Sequence, residues 1–160
     1  MKKRRFFALF LVLGLLVSLL SVPASAFEEI DVDARAALLV EKETGEILYE
    51  KNAHEKNYPA SITKLTVALL VFEAIDAGQL SLDQPITAHE SAFEGLSIYG
   101  STAGIKVGEV LTVEQLLQCM LIVSANEACN ILAEWDAGSI AAFVDAMNAK
   151  AKALGCENTH

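Results

Sequence analysis

The sequence predicts a mixed α/β chain of the α+β kind, strands first and helices after, on three observations. Two short apolar runs, 36–40 and 47–49, flank a polar turn. A nearly unbroken apolar run follows Ser61. Three later segments then repeat apolar residues at helical spacing. With 160 residues the chain has room for about one domain.

The first 26 residues read as a signal peptide and are set apart from that domain, which is expected over 27–160. Lys2, Lys3, Arg4 and Arg5 make a basic head, residues 6–20 an apolar core, and Ala24-Ser25-Ala26 a small-x-small cleavage pattern after Pro23. An uncleaved anchor is the competing reading, but the apolar stretch falls short of the ~20 residues that a spanning helix needs. The expected destination is therefore the cell envelope or the outside of the cell. Next come the two apolar runs, with the polar segment 41–46 between them and Gly45 available for a positive φ; this predicts a β-hairpin. Residues 52–58 are polar and read as loop.

From Ser61 onward, Leu65, Val67, Ala68, Leu69, Leu70, Val71, Phe72, Ala74 and Ile75 cover nearly every side of a helix, which predicts a buried core helix capped at Gly78. Residues 81–108 are dotted with Gly and Ser and read as loops and short helices, with a turn near 90–93. Thr112 is suited to cap a helix over 113–123 whose apolar face is Leu116, Leu117, Met120 and Leu121. Ser124-Ala125-Asn126 interrupts that pattern. Amphipathic segments follow at 127–135 and 140–154, the second carrying Phe143, Val144 and Met147 and ending at Gly155.

Charge and composition narrow the function. The segment 1–26 holds four basic residues and no acidic ones, so its removal takes the net charge from −9 to −13. Such an acidic surface argues against nucleic acid as a partner. Cys119, Cys129 and Cys156 are too few and too widely spaced for a disulfide scaffold or a zinc site, and are expected as small buried apolar residues. His54, His89 and His160 lie in polar surroundings with no companion acid in a recognisable pattern. A Ser-His-Asp triad stays open, because triads assemble in space and not in sequence.

The chemistry-bearing stretch is Ser61-Ile62-Thr63-Lys64, entered through Pro59-Ala60. Residues three apart on a helix are neighbours, so an amine at Lys64 is within reach of the Ser61 oxygen. A serine oxygen becomes a good nucleophile when a base takes its proton. An amine serves as that base where burial or nearby cations favour its neutral form. Ser-x-x-Lys alone arises often by chance. Here it heads an apolar helix and is followed by a second polar cluster, Ser124-Ala125-Asn126, and the pair of motifs points to serine acyl transfer. The bland alternatives are helix capping by Ser61, Ser124 or Asn126 and a solvated Lys64.

On these residues, and on 44–52, 59–66, 124–128 and 143–160, the chain resembles the D-alanyl-D-alanine carboxypeptidases, the low-molecular-weight penicillin-binding proteins. That family carries Ser-x-x-Lys, Ser-x-Asn and Lys-Thr-Gly signatures. The resemblance implies Ser61 as the nucleophile, Lys64 as its base, Ser124 as a proton relay to the leaving amine, and Asn126 as the holder of the substrate amide. It implies a stem peptide ending in D-Ala-D-Ala as substrate, β-lactams as inhibitors, and no cofactor or metal. It also implies the serine β-lactamase and penicillin-binding transpeptidase fold, here as the first hairpin, a buried nucleophile helix and the helical part.

The third signature is not among the 160 residues. Glu43-Thr44-Gly45 precedes the nucleophile, and Lys106-Val107-Gly108 precedes Ser124. The expectation is a fragment of a longer reading frame, poorly folded and inactive alone, whose membrane association would rest on a C-terminal part not present. Two other readings stand beside the carboxypeptidase. One is a serine β-lactamase or esterase of the same fold, which would deacylate promptly; the other is a non-catalytic module that binds the cell wall.

Overall fold

The computed structural model describes residues 31–160. The expected signal peptide, residues 1–26, lies outside the described residues. The chain divides into two compact units, one ending at Glu55 and one spanning Lys56–His160.

In the first unit, β1 (Ala37–Val40) pairs antiparallel with β2 (Ile47–Lys51), Leu39 opposite Tyr49, with a bulge between Leu39 and Val40. The turn is closed by Glu41 N–H to Glu46 O at 2.8 Å and Gly45 N–H to Glu41 O at 2.9 Å, with Gly45 at φ 74° as expected. The Glu41 carboxylate receives the N–H groups of Glu43 and Thr44. Hydrogen bonding, led by Thr44, holds it below the usual carboxylate range. Leu38, Leu39, Ile47 and Leu48 are all more than half exposed. The hairpin thus buries no face within its own unit, and two strands alone are marginal in water.

The second unit holds the core. A 3-10 turn, Ala60–Ile62, leads into α1 (Thr63–Asp76). Ser61 therefore stands in the turn before the helix and not on its first α-turn. The strands β3 (Pro85–Thr87) and β4 (Val110–Thr112) pair antiparallel, Ile86 opposite Leu111. Then come α2 (Val113–Ile122), α3 (Asn126–Ala137) and α4 (Ile140–Ala153). Val67, Val71, Val113, Leu116, Met120, Ile131, Leu132 and Phe143 fill the space between the four helices.

Capping follows the sequence. Thr112 accepts from Gln115 N–H while the Gln115 side chain takes the Thr112 N–H, a capping box. Ser139 caps α4 through Ala142 N–H. At the end of α1, Gly78 sits at φ 71° and Gln79 N–H returns to Ala74 O at 2.9 Å, a Schellman closure.

Four expectations need correction. The helix α1 is not buried all round: Val67, Ala68, Val71 and Ala74 face inward, while Leu65 (63% exposed), Leu69 and Phe72 form an open stripe. It packs on α2, α3 and α4 through one face, Val67, Ala68, Val71 and Ala74, so composition alone overstated its burial. Leu121 and Val144, expected on apolar faces, are likewise exposed. Strand β3 falls in the segment 81–108 expected as loops and short helices, and β4 runs up to the expected cap Thr112; three-residue strands are too short to display alternation. The cysteines are free thiols. Cys119 and Cys129 are half-buried against the core, but Cys156 is exposed because it follows Gly155 beyond the end of α4.

Candidate active site

Two chain turns of the second unit meet. The first is Pro59-Ala60-Ser61, in which Ala60 opens the 3-10 turn with a left-handed φ of 49°. The second is Val123-Ser124-Ala125, where α2 gives way to α3 and Ser124 takes a left-handed φ of 62°. Ala125 N–H closes this second turn onto Cys119 O at 3.0 Å. With both backbones so turned, the Ser124 hydroxyl donates to Ser61 Oγ at 2.9 Å. That leaves the Ser61 O–H proton itself available to an acceptor.

Lys64, in the first turn of α1, is only 9% exposed. Its ammonium donates to Asn126 Oδ1 at 2.7 Å. Among the described contacts the Lys64 amine is thus directed to Asn126, not to Ser61. Its acceptor is a neutral amide oxygen, which leaves the lysine without the solvation it would have at the surface. The charge is felt one turn further along α3, where burial pushes the Cys129 thiol up and Lys64 pulls it down.

Capping does not account for these side chains. Neither the 3-10 turn, nor α1, nor α3 has a side-chain cap at its N-terminus, in contrast to Thr112 and Ser139. The four residues singled out in the sequence form two hydrogen-bonded pairs, Ser61 with Ser124 and Lys64 with Asn126. No histidine enters the Ser61 pair. His89 instead lines a cavity of about 520 Å³ between β3 and α3, together with Thr87, Ser91, Glu134 and Trp135, and none of the four residues lines that cavity. Among the described residues, no cluster of three His, Cys, Asp or Glu is placed to hold a metal.

A wall of the site went unread in the sequence. Gly100 closes a turn through its N–H to Ser97 O at 2.9 Å and lies against the Asn126 amide. A Cβ at position 100 would stand 2.6 Å from Asn126 Nδ2 and 3.0 Å from Ser97 O. The next carbonyl, Ser101 O, accepts Asn126 N–H at 2.9 Å. A lone glycine in a Gly- and Ser-dotted loop carries no signal of this close approach. Glu127, buried at 3% exposure, reads in sequence only as a favourable acid at a helix start.

Comparison with known proteins gives a consistent result. The profile of the D-alanyl-D-alanine carboxypeptidase family, peptidase S11, matches residues 23–160. D-alanyl-D-alanine carboxypeptidase DacF of Bacillus subtilis is 38% identical over 151 residues, covering 89% of this chain and 38% of the relative. The crystal structure of the carboxypeptidase DacD from Francisella tularensis matches with a TM-score of 0.77 at 39% identity, covering 83% of this chain and 32% of that one. Penicillin-binding protein D2 of Listeria monocytogenes, in its ampicillin-bound form, matches with a TM-score of 0.68 at 33% identity, covering 81% of this chain and half of that one. The expected fold is borne out over the part that these residues cover. The chain spans about a third of the length of the curated relatives it matches.

Proposed function

The chain belongs to the D-alanyl-D-alanine carboxypeptidase family, and from that premise we propose that it carries the acylation half of a serine D-Ala-D-Ala carboxypeptidase site. The observation that carries the reading is the pairing of Ser61 with Ser124 and of the buried Lys64 with Asn126. In the proposed reaction, Ser61 Oγ attacks the carbonyl carbon of the penultimate D-alanine as its proton passes to the Lys64 amine. Ser124 hands a proton to the departing amine, and terminal D-alanine leaves. Water then hydrolyses the acyl-Ser61 ester. Asn126 holds the substrate amide. β-Lactams would acylate the same oxygen, in keeping with the ampicillin-bound relative.

The substrate is a peptidoglycan stem peptide ending in D-Ala-D-Ala, and the place of action is the cell envelope, reached through the leader expected at residues 1–26. Among the described residues no helix is long and apolar enough to cross a membrane. A third signature, Lys-Thr-Gly, would add a cation for the substrate carboxylate and a second oxyanion donor. One such donor is worth about 10²–10³ in kcat. The test therefore uses the full gene product that carries this chain. It should release D-alanine from a peptide ending in D-Ala-D-Ala, and stoichiometric penicillin should block the release. Prompt turnover of the penicillin itself would point instead to a β-lactamase. Binding of cell-wall peptide with neither release nor acylation would point to a non-catalytic module.

The close approach at position 100 makes a second prediction. Gly100→Ala should swing the Asn126 amide away and break its bond to Lys64. Since a hydrogen bond to a charged group is worth about 1.5–3 kcal/mol, the second-order rate of acylation by a fluorescent penicillin should fall about 10-fold or more. The melting temperature should fall by several degrees as the buried Lys64 loses this partner, while the fold is kept because the atom displaced first is the end of a side chain. An unchanged rate would mean that the Asn126 orientation seen here does not matter to acylation.

A further inference from the structure

Glu127 follows Asn126 in the first turn of α3, and its carboxylate is out of water. One oxygen, Oε1, accepts three hydrogen bonds from consecutive residues: Thr102 Oγ1 at 2.6 Å, Ala103 N–H at 2.7 Å and Gly104 N–H at 3.1 Å. The Thr102 hydroxyl oxygen in turn accepts Gly104 N–H at 2.9 Å. Burial, the largest single influence, pushes this carboxyl up. The Thr102 hydroxyl and the surrounding backbone N–H groups together outweigh it and hold the group below its usual range.

A buried carboxylate costs free energy unless its surroundings compensate it, and here all three donors to Oε1 lie on one short stretch of chain. That stretch meets α3 residue by residue. Gly100 lies against the Asn126 amide, Ser101 O takes the Asn126 N–H, and residues 102–104 converge on Glu127. The clamp therefore fixes the wall against which the Asn126 side chain rests while it accepts from Lys64.

We propose that Glu127 is a positioning residue of the acyl-transfer site, acting through segment 100–104 on the orientation of Asn126 and not by touching substrate. This rests on the reading of the site given above. Glu127→Gln keeps the shape and can keep an oxygen where Oε1 stands, but it removes the charge that strengthens the three bonds converging there. The segment loosens, and the Asn126 amide loses its fixed backing.

The experiment measures acylation of the full gene product by a fluorescent penicillin, separating the first-order acylation constant from the apparent affinity, with thermal melting as a check on folding. Glu127→Gln should lower the first-order constant about 10-fold or more and leave the apparent affinity within about twofold. In an Asn126→Ala background the same substitution should add little, because its effect runs through Asn126. Equal losses in both backgrounds would overturn the proposal, as would a wild-type constant in Glu127→Gln. If Glu127→Gln does not fold, Thr102→Val removes one bond of the clamp at nearly constant shape. It should show a smaller loss in the same constant, and a wild-type constant there overturns the proposal. Failure of the site reading is separately visible, as wild-type protein that forms no penicillin adduct dependent on Ser61.

Discussion

Replacing Ser61 by alanine should remove the penicillin adduct completely. Mass spectrometry of the wild-type gene product after β-lactam treatment should place the added mass on the peptide that contains Ser61, and Ser61→Ala should show none. The expectation is total because the Ser61 hydroxyl supplies the bond-forming atom. The neighbouring Ser124 hydroxyl donates to that oxygen in the wild type, and no N-terminal cap uses Ser61. Folding should survive, since Ser61 is exposed and its loss removes one surface hydroxyl. An adduct that persists in Ser61→Ala would place the nucleophile elsewhere and remove the basis for the proposed function.

Lys64→Arg should nearly abolish acylation while the protein still folds. An arginine keeps the positive charge and the ability to donate to Asn126 Oδ1, but it is not deprotonated in proteins and so takes no proton from serine. The contrast separates two roles that the geometry leaves together, because Lys64 is seen bonded to Asn126 and not to Ser61. If Lys64 only oriented Asn126, arginine would serve well and the acylation rate would stay near wild type; Ser124, already in contact with Ser61, would then be the proton acceptor to examine. General-base assistance is worth about 10²–10⁴ in rate, so a loss within or beyond that range distinguishes the two. Circular dichroism and melting would report whether the larger guanidinium disturbs a position that is only 9% exposed.

What the sequence disclosed and what it hid have physical reasons. Thr112 and Gly78 were legible because caps depend on one residue and its immediate neighbours. Gly45 and the hairpin were legible for the same local reason. The four site residues were legible because their chemistry is written in residue type and short spacing. The pairing itself was not: spacing along α1 suggests Lys64 with Ser61, whereas the fold brings in partners from beyond position 120 and pairs each with one of them. The open stripe Leu65, Leu69 and Phe72 escaped notice because an all-apolar helix carries no mark of which side its neighbours take. Gly100 and the Glu127 clamp escaped because they are contacts between segments more than twenty residues apart, made by residue types that are ordinary in loops and helix starts.

The two left-handed residues on either side of the Ser61–Ser124 bond bear on how this protein trades robustness for chemistry. Among the described residues, only three non-glycine positions have positive φ, and Ala60 and Ser124 are two of them. Each such residue costs roughly 1–3 kcal/mol, which is large beside the 5–15 kcal/mol net stability of an ordinary domain. Glycine would sit in either position without that penalty, so selection for thermal endurance alone would drive both turns toward glycine. At position 124 that relief would come with the loss of the hydroxyl that meets Ser61. On the proposed reading of Ser124, glycine at this turn between α2 and α3 would raise the melting temperature and lower the acylation rate together.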